Sequence, residues 1–151
     1  MYDWILAAHI LGAVAWVGGA LTLQVLATRA HGSNNPTYMA AFARDAEWIG
    51  MRVYLPSSIL VLLAGIGLVL EGPWEFGTFW VLFGLVAIFA SAVTGATFIG
   101  PESGRVGKLM AERGPDDPEV RQRLGRIFLI SRIELVVLLL VVADMALKPG
   151  Q

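Results

Sequence analysis

The chain reads as an all-α protein, a polytopic transmembrane four-helix bundle formed by one membrane domain over residues 1–151. Three observations predict this. Hydrophobic residues make up 56% of the 151 and charged residues only 15%, against roughly 25% charged in an ordinary soluble domain; mean hydropathy is +0.67. Runs at residues 4–27, 79–99 and 127–147 each reach the length of about 20 apolar residues that crosses hydrocarbon, and a shorter run at 53–70 is prolonged by helical sequence before it. The basic residues gather in two connecting segments. Four spans use most of the chain and leave no room for a soluble domain.

The first helix is expected over residues 2–28. Met1, Tyr2 and Asp3 offer no basic n-region, and the apolar run is long and holds Trp16, Gly18 and Gly19, so a retained helix is expected rather than a cleaved signal. A polar loop follows at residues 30–35. Asn35 and Pro36 then combine an N-cap residue with a proline at the first helical position. The second helix is expected over 36–71, its first third amphipathic and projecting. Pro56 inside it should kink it or mark where it meets the membrane. Glu71, Gly72, Pro73 and Trp74 make a turn into the third helix, 77–99, and Gly100–Pro101 is expected to end it in a charged loop. Asp117, Pro118 and Glu119 repeat the cap signature and open the fourth helix, 118–147. Lys148–Pro149–Gly150 stops it.

Arg29, Arg44 and Arg52 follow the first span; Arg105, Lys108, Arg113, Arg121, Arg123 and Arg126 follow the third; the opposite side has Lys148 alone. The positive-inside rule then puts both basic segments in the cytoplasm and both termini outside, in what is expected to be a bacterial cytoplasmic membrane. Tyr2, Trp4, Trp74 and Trp80 fall where an outer aromatic belt would lie. The absence of cysteine excludes disulfides, thiolate catalysis, iron–sulfur ligation and cysteine zinc sites. The sequence holds no phosphate loop, zinc motif, nucleophile elbow or nucleic-acid motif.

Ionisable side chains at membrane depth are costly, by estimates from about 3 to more than 10 kcal/mol, so they mark where chemistry would lie. His9 is one. It shares a helix face with Ala13, Trp16 and Ala20, flanked by Gly12 and Gly19. A neutral imidazole there suits haem or metal ligation, or a hydrogen bond across the bundle without any cofactor. His31 lies on the other side and cannot ligate the same ion within one chain. A second axial ligand would be Met145, His9 of another subunit, or nothing. Arg132 and Glu134 are two residues apart and face nearly opposite ways. Glu134 is expected to pair with Arg52 across the bundle, as an ion pair or proton relay, with Arg132 reaching to headgroups. Asp144 would either fix the tautomer of His9 or meet Lys148 one turn away. Small residues at 65, 67, 91, 92, 95 and 96 permit close helix approach.

The pattern Trp4, His9, Gly12, Trp16, Gly19, followed by Arg52, Pro56, Gly65-Ile66-Gly67-Leu68 and a terminal Lys148-Pro149, resembles a superfamily. It includes HemJ-type protoporphyrinogen oxidases, CopD-like copper-resistance membrane proteins and many small bacterial integral membrane proteins without an assigned activity. The resemblance implies a four- or five-helix bundle and, in the HemJ branch, haem b held by the histidine matching His9. HemJ-type enzymes resemble one another in a third-helix lysine. Here that helix begins Phe79-Trp80-Val81-Leu82-Phe83-Gly84 and has no lysine, which argues against the oxidase reaction and for the branch without an assigned activity.

The function expected is a haem b-binding redox module, or an accessory subunit of a membrane redox complex. His9 would ligate iron, Gly12, Trp16 and Gly19 would shape the pocket, and Arg52 would steady a propionate. Its partners would be the lipid bilayer and a second copy or a redox protein, not nucleic acid. The alternatives are a solute, ion or copper transport role using His9, Arg52, Glu134, Asp144 and Met145, and a cofactor-free structural subunit.

Overall fold

A computed structural model describes residues 1–33 and 35–149. Asn34 of the expected loop and Gly150 of the expected helix stop lie outside them. The described residues are helices and short connections: α1 (Tyr2–Gly32), α2 (Pro36–Ile49), α3 (Leu55–Glu71), α4 (Phe79–Thr94), α5 (Gly100–Arg113) and α6 (Pro118–Leu147). The protein is an all-α membrane protein. By length and composition, three continuous helices suffice to cross a membrane: Tyr2–Gly32, Thr37–Glu71 and Phe79–Arg113. The 30-residue α6 packs against α1 and α4 as the fourth member of the bundle. It is not among those three, because Arg132, Glu134 and Asp144 interrupt its apolar run.

Both expected caps form. Asn35 Oδ1 accepts from the backbone N–H of Thr37 and Tyr38 at 3.0 and 3.3 Å. Asp117 Oδ1 accepts from those of Glu119 and Val120 at 2.8 and 3.4 Å. The helix ends differ from expectation in three places, the slightest being the third helix, which opens at Phe79 and not at 77. α1 runs on to Gly32, so the first connection is shorter than read. The helix begun at Phe79 does not stop at Gly100–Pro101 but continues to Arg113.

The two internal prolines share one explanation. A proline has no N–H, and its ring clashes with the carbonyl four residues back. Before each proline the helix widens by one residue into a π-helical turn, Gly50–Tyr54 and Gly95–Ile99. The Leu55 N–H bonds Gly50 O and the Gly100 N–H bonds Gly95 O. Each turn leaves the following proline in the first turn of the next helix, where a missing donor costs nothing.

The segment after Pro101 had every mark of a charged loop, yet Val106, Leu109 and Met110 make a stripe at helical spacing. That stripe packs on Val120, Leu124 and Ile127 of α6, so α5 and the start of α6 form a hairpin with its own small core. Glu102 is buried in this hairpin under Arg123, which donates to it at 2.6 Å and to Glu119 at 2.9 Å.

In the bundle proper, α1 packs closely along α3 and also touches α6, and α6 packs along α4. A Cβ on Gly12 would stand 3.0 Å from Val61 Cγ2, so this glycine sets how near α1 and α3 approach. Trp16, Val61 and Leu138 form the central core. α3 and α4 meet sparsely, and the space between the four helices stays partly open. Tyr2, the 72–78 connection and Lys148 lie at one end of the bundle: Tyr2 reaches Gly72, and Lys148 reaches Trp74 and Trp80.

Candidate functional site: an apolar cavity bearing His9

His9 sits two turns into α1, half-buried, on the face turned toward α3. Its Nδ1 lies 2.9 Å from the main-chain oxygen of Val61. A carbonyl can only accept, so Nδ1 carries the proton and donates. In the neutral ring Nε2 then keeps its lone pair. Nε2 makes no hydrogen bond among the described residues, and it is not among their sealed polar atoms. The imidazole is thus held by one nitrogen and open at the other.

Gly65 makes that arrangement possible. A Cβ there would stand 3.1 Å from His9 Cε1 and 3.4 Å from Nδ1. Absence of a side chain lets the ring lie flat on α3 and reach the carbonyl one turn away.

His9 lines a cavity of about 630 Å³ between α1, α3, α4 and α6. Its size falls within the roughly 300–1,000 Å³ of small-molecule and cofactor pockets. The walls are mainly aliphatic and aromatic, with His9 and Met145 as side chains able to ligate a metal and Lys148 as the charged one. A smaller recess of about 50 Å³ continues inward past His9 to Trp16 and Leu138. Met145 borders both spaces, on α6, with its methyl seated over Gly84: a Cβ on Gly84 would lie 2.5 Å from Met145 Cε. The fold therefore brings the imidazole and the thioether to one chamber.

The other expected site residues distribute unevenly. Trp16 is 5% exposed, closes the recess and meets the Tyr54 ring edge-on at 5.8 Å. Gly12 is spent on helix packing and not on the cavity. Gly19 also lies off the cavity wall; nothing stands within 4 Å of a Cβ placed there. Arg52 is in the first π-helical turn with its guanidinium 5.5 Å over the Trp48 ring, outside both spaces. The expected Arg52–Glu134 pair is not formed among the described residues: Glu134 instead accepts from Ser91 Oγ at 3.3 Å, and Arg52 stays with its own helix. Arg132 is exposed. Neither expectation for Asp144 is met. The His9 tautomer is set by Val61, and Lys148 turns to Trp74 and Trp80, leaving Asp144 Oδ2 buried without a partner among the described residues. His31 packs edge-on against Phe128 at the basic end, away from His9.

Sequence reasoning missed Lys148 as a cavity residue and Gly65 as the seat of His9. The signal for the first was its isolation as the sole Lys or Arg at its end. The second is one glycine in a small-residue pattern, and its pairing with His9 requires the register of α1 on α3.

A bundle of long apolar helices around one histidine-bearing cavity defines the class, an integral membrane protein with a ligand-sized chamber. More particularly, the chain belongs to the family described as "Predicted integral membrane protein (DUF2269)", whose model matches residues 3–149. No curated protein and no solved structure matches it.

Proposed function

We propose that this chain is a membrane-embedded haem b-binding module, serving as a redox carrier or as an accessory subunit of a membrane redox complex. The observation that carries the reading is the oriented imidazole: His9 fixed through Nδ1 by Val61 O, with Nε2 free, on the wall of a cavity of cofactor size. Ligating histidines commonly donate their other ring nitrogen to a carbonyl or carboxylate, which fixes the tautomer and raises ligand basicity. The residues fit the group, and the likeness to the HemJ and CopD superfamily favours the same histidine.

Haem bound there supplies one-electron chemistry at iron. His9 would hold the iron through Nε2. Met145, sharing the chamber, is the thioether available as second ligand. Trp16 excludes water from the inner recess. Arg52, outside the cavity, has no part in holding a propionate. The basic ends lie in the cytoplasm and both termini outside, in a bacterial cytoplasmic membrane.

A copper-handling role is the second reading. It is favoured by the same meeting of imidazole and thioether, a donor pair suited to Cu(I). Titration of the detergent-purified protein with haem b separates the two. One equivalent should bind, with affinity falling at least tenfold in His9→Gln. Copper bound stoichiometrically by a protein that takes no haem favours the second reading.

A further inference from the structure

We propose that Lys148 is the anion anchor of the His9 cavity, so that the ligand taken there is an apolar ring system with a carboxylate edge turned toward the termini. This rests on the haem reading and names the polar contact that reading lacked once Arg52 was found elsewhere.

Four observations converge on Lys148. It lines the cavity. It is the one Lys or Arg at its end of the bundle, among Asp3, Glu71, Glu75 and Asp144, yet it forms no ion pair among the described residues. Its Nζ is held 4.5 Å from the Trp74 ring centroid and 5.6 Å from that of Trp80, two rings that also line the cavity and meet edge-on at 5.3 Å. An ammonium over aromatic faces keeps its charge while its remaining donors stay free. Finally, Lys148 adopts φ 44° and ψ 60° as the cap of α6, a left-handed conformation that glycine or asparagine would take more readily. The chain uses a lysine where the backbone favours glycine, and the side chain is thereby turned onto the two tryptophans.

Lys148 follows Met145 by three residues, about 4.5 Å along a helix axis. Its backbone therefore stands roughly one turn nearer the terminal end of the bundle than that of Met145. An occupant with an apolar body beside His9 and a carboxylate beside Lys148 satisfies both groups. An anionic phospholipid would offer the same oxyanion-on-apolar-body chemistry and is distinguished by experiment.

The test compares haem b with its dimethyl ester by Soret titration of the purified protein. Wild type should bind the free acid about tenfold more tightly than the ester, the scale of one charge-assisted hydrogen bond. Lys148→Gly, which suits the left-handed cap and keeps the fold, should remove that preference and leave ester affinity unchanged. Lys148→Arg should retain it. Equal affinity for acid and ester in wild type, or an unaltered preference in Lys148→Gly, overturns the anchor and leaves the His9 reading standing. Failure of wild type to bind either form overturns both. Displacement of haem by phosphatidylglycerol that depends on Lys148 would assign the cation to a headgroup and overturn the carboxylate.

Discussion

Gly65 concentrates the residue-scale physics. Replacing a helical glycine by alanine in open space gains up to about 1 kcal/mol. At position 65 the new methyl stands 3.1 Å from His9 Cε1, and the ring must yield along its short bond to Val61 O, a bond worth about 1 kcal/mol. The two effects nearly cancel in stability but not in ligation. Gly65→Ala should leave the thermal midpoint within a few degrees of wild type and weaken haem binding several-fold, read by parallel unfolding and titration. Unaltered affinity would mean that the position of the ring does not matter. Gly19→Ala is the control: nothing stands within 4 Å of a Cβ there, and the position lies off the cavity wall. It should alter affinity less than Gly65→Ala does.

His9 was legible because an imidazole in an apolar run stands out. Its partner was not, because the acceptor is a main-chain carbonyl, identical at every residue and chosen by helix register. Asp144, a carboxylate at about the right depth, is one of two readings for that partner, the other giving it to Lys148, and its buried oxygen, unpartnered among the described residues, shows that depth alone does not decide pairing.

Among the elements, both capping signatures were legible in full, because an Asn-Pro or Asp-Pro pair acts locally. The prolines at 56 and 101 were harder. Each looks like a stop or a kink, and each is absorbed by a π-helical turn that adds one residue and keeps the helix running. Removing the proline removes the reason for the turn. Pro56→Ala should let the turn close to α-helix and rotate α2 by about 100° relative to α3. Spin-label distances from α2 to α6 should shift by several ångströms; unchanged distances would show that the turn has another cause. The α5–α6 hairpin has its own core, so damage there should stay local. Val120 is fully buried, and Val120→Ala should cost about 1–3 kcal/mol. It should speed protease cleavage between the two helices while haem affinity remains at the wild-type value. A parallel loss of haem affinity would mean that hairpin and cavity are coupled.

Across the whole molecule, hydropathy predicted the all-α membrane protein that the fold shows, since it sums over many residues, and charge placement gives an expected orientation. The cavity is the opposite case: it arises from sparse contact between α3 and α4, which no single span encodes. Orientation is open to direct measurement because the chain has no cysteine to remove. Single cysteines at Gly77 and Asp116 should react with impermeant maleimide from opposite faces, Gly77 from outside and Asp116 only after the membrane is opened. Labelling of both from one face would contradict the topology.

The most direct measurement is the visible spectrum of the protein purified from haem-replete cells, taken beside that of His9→Ala. A Soret band in the wild type that is absent from a folded His9→Ala protein is the predicted result. A wild-type spectrum without the band, or a band that survives loss of the imidazole, would contradict haem ligation by His9.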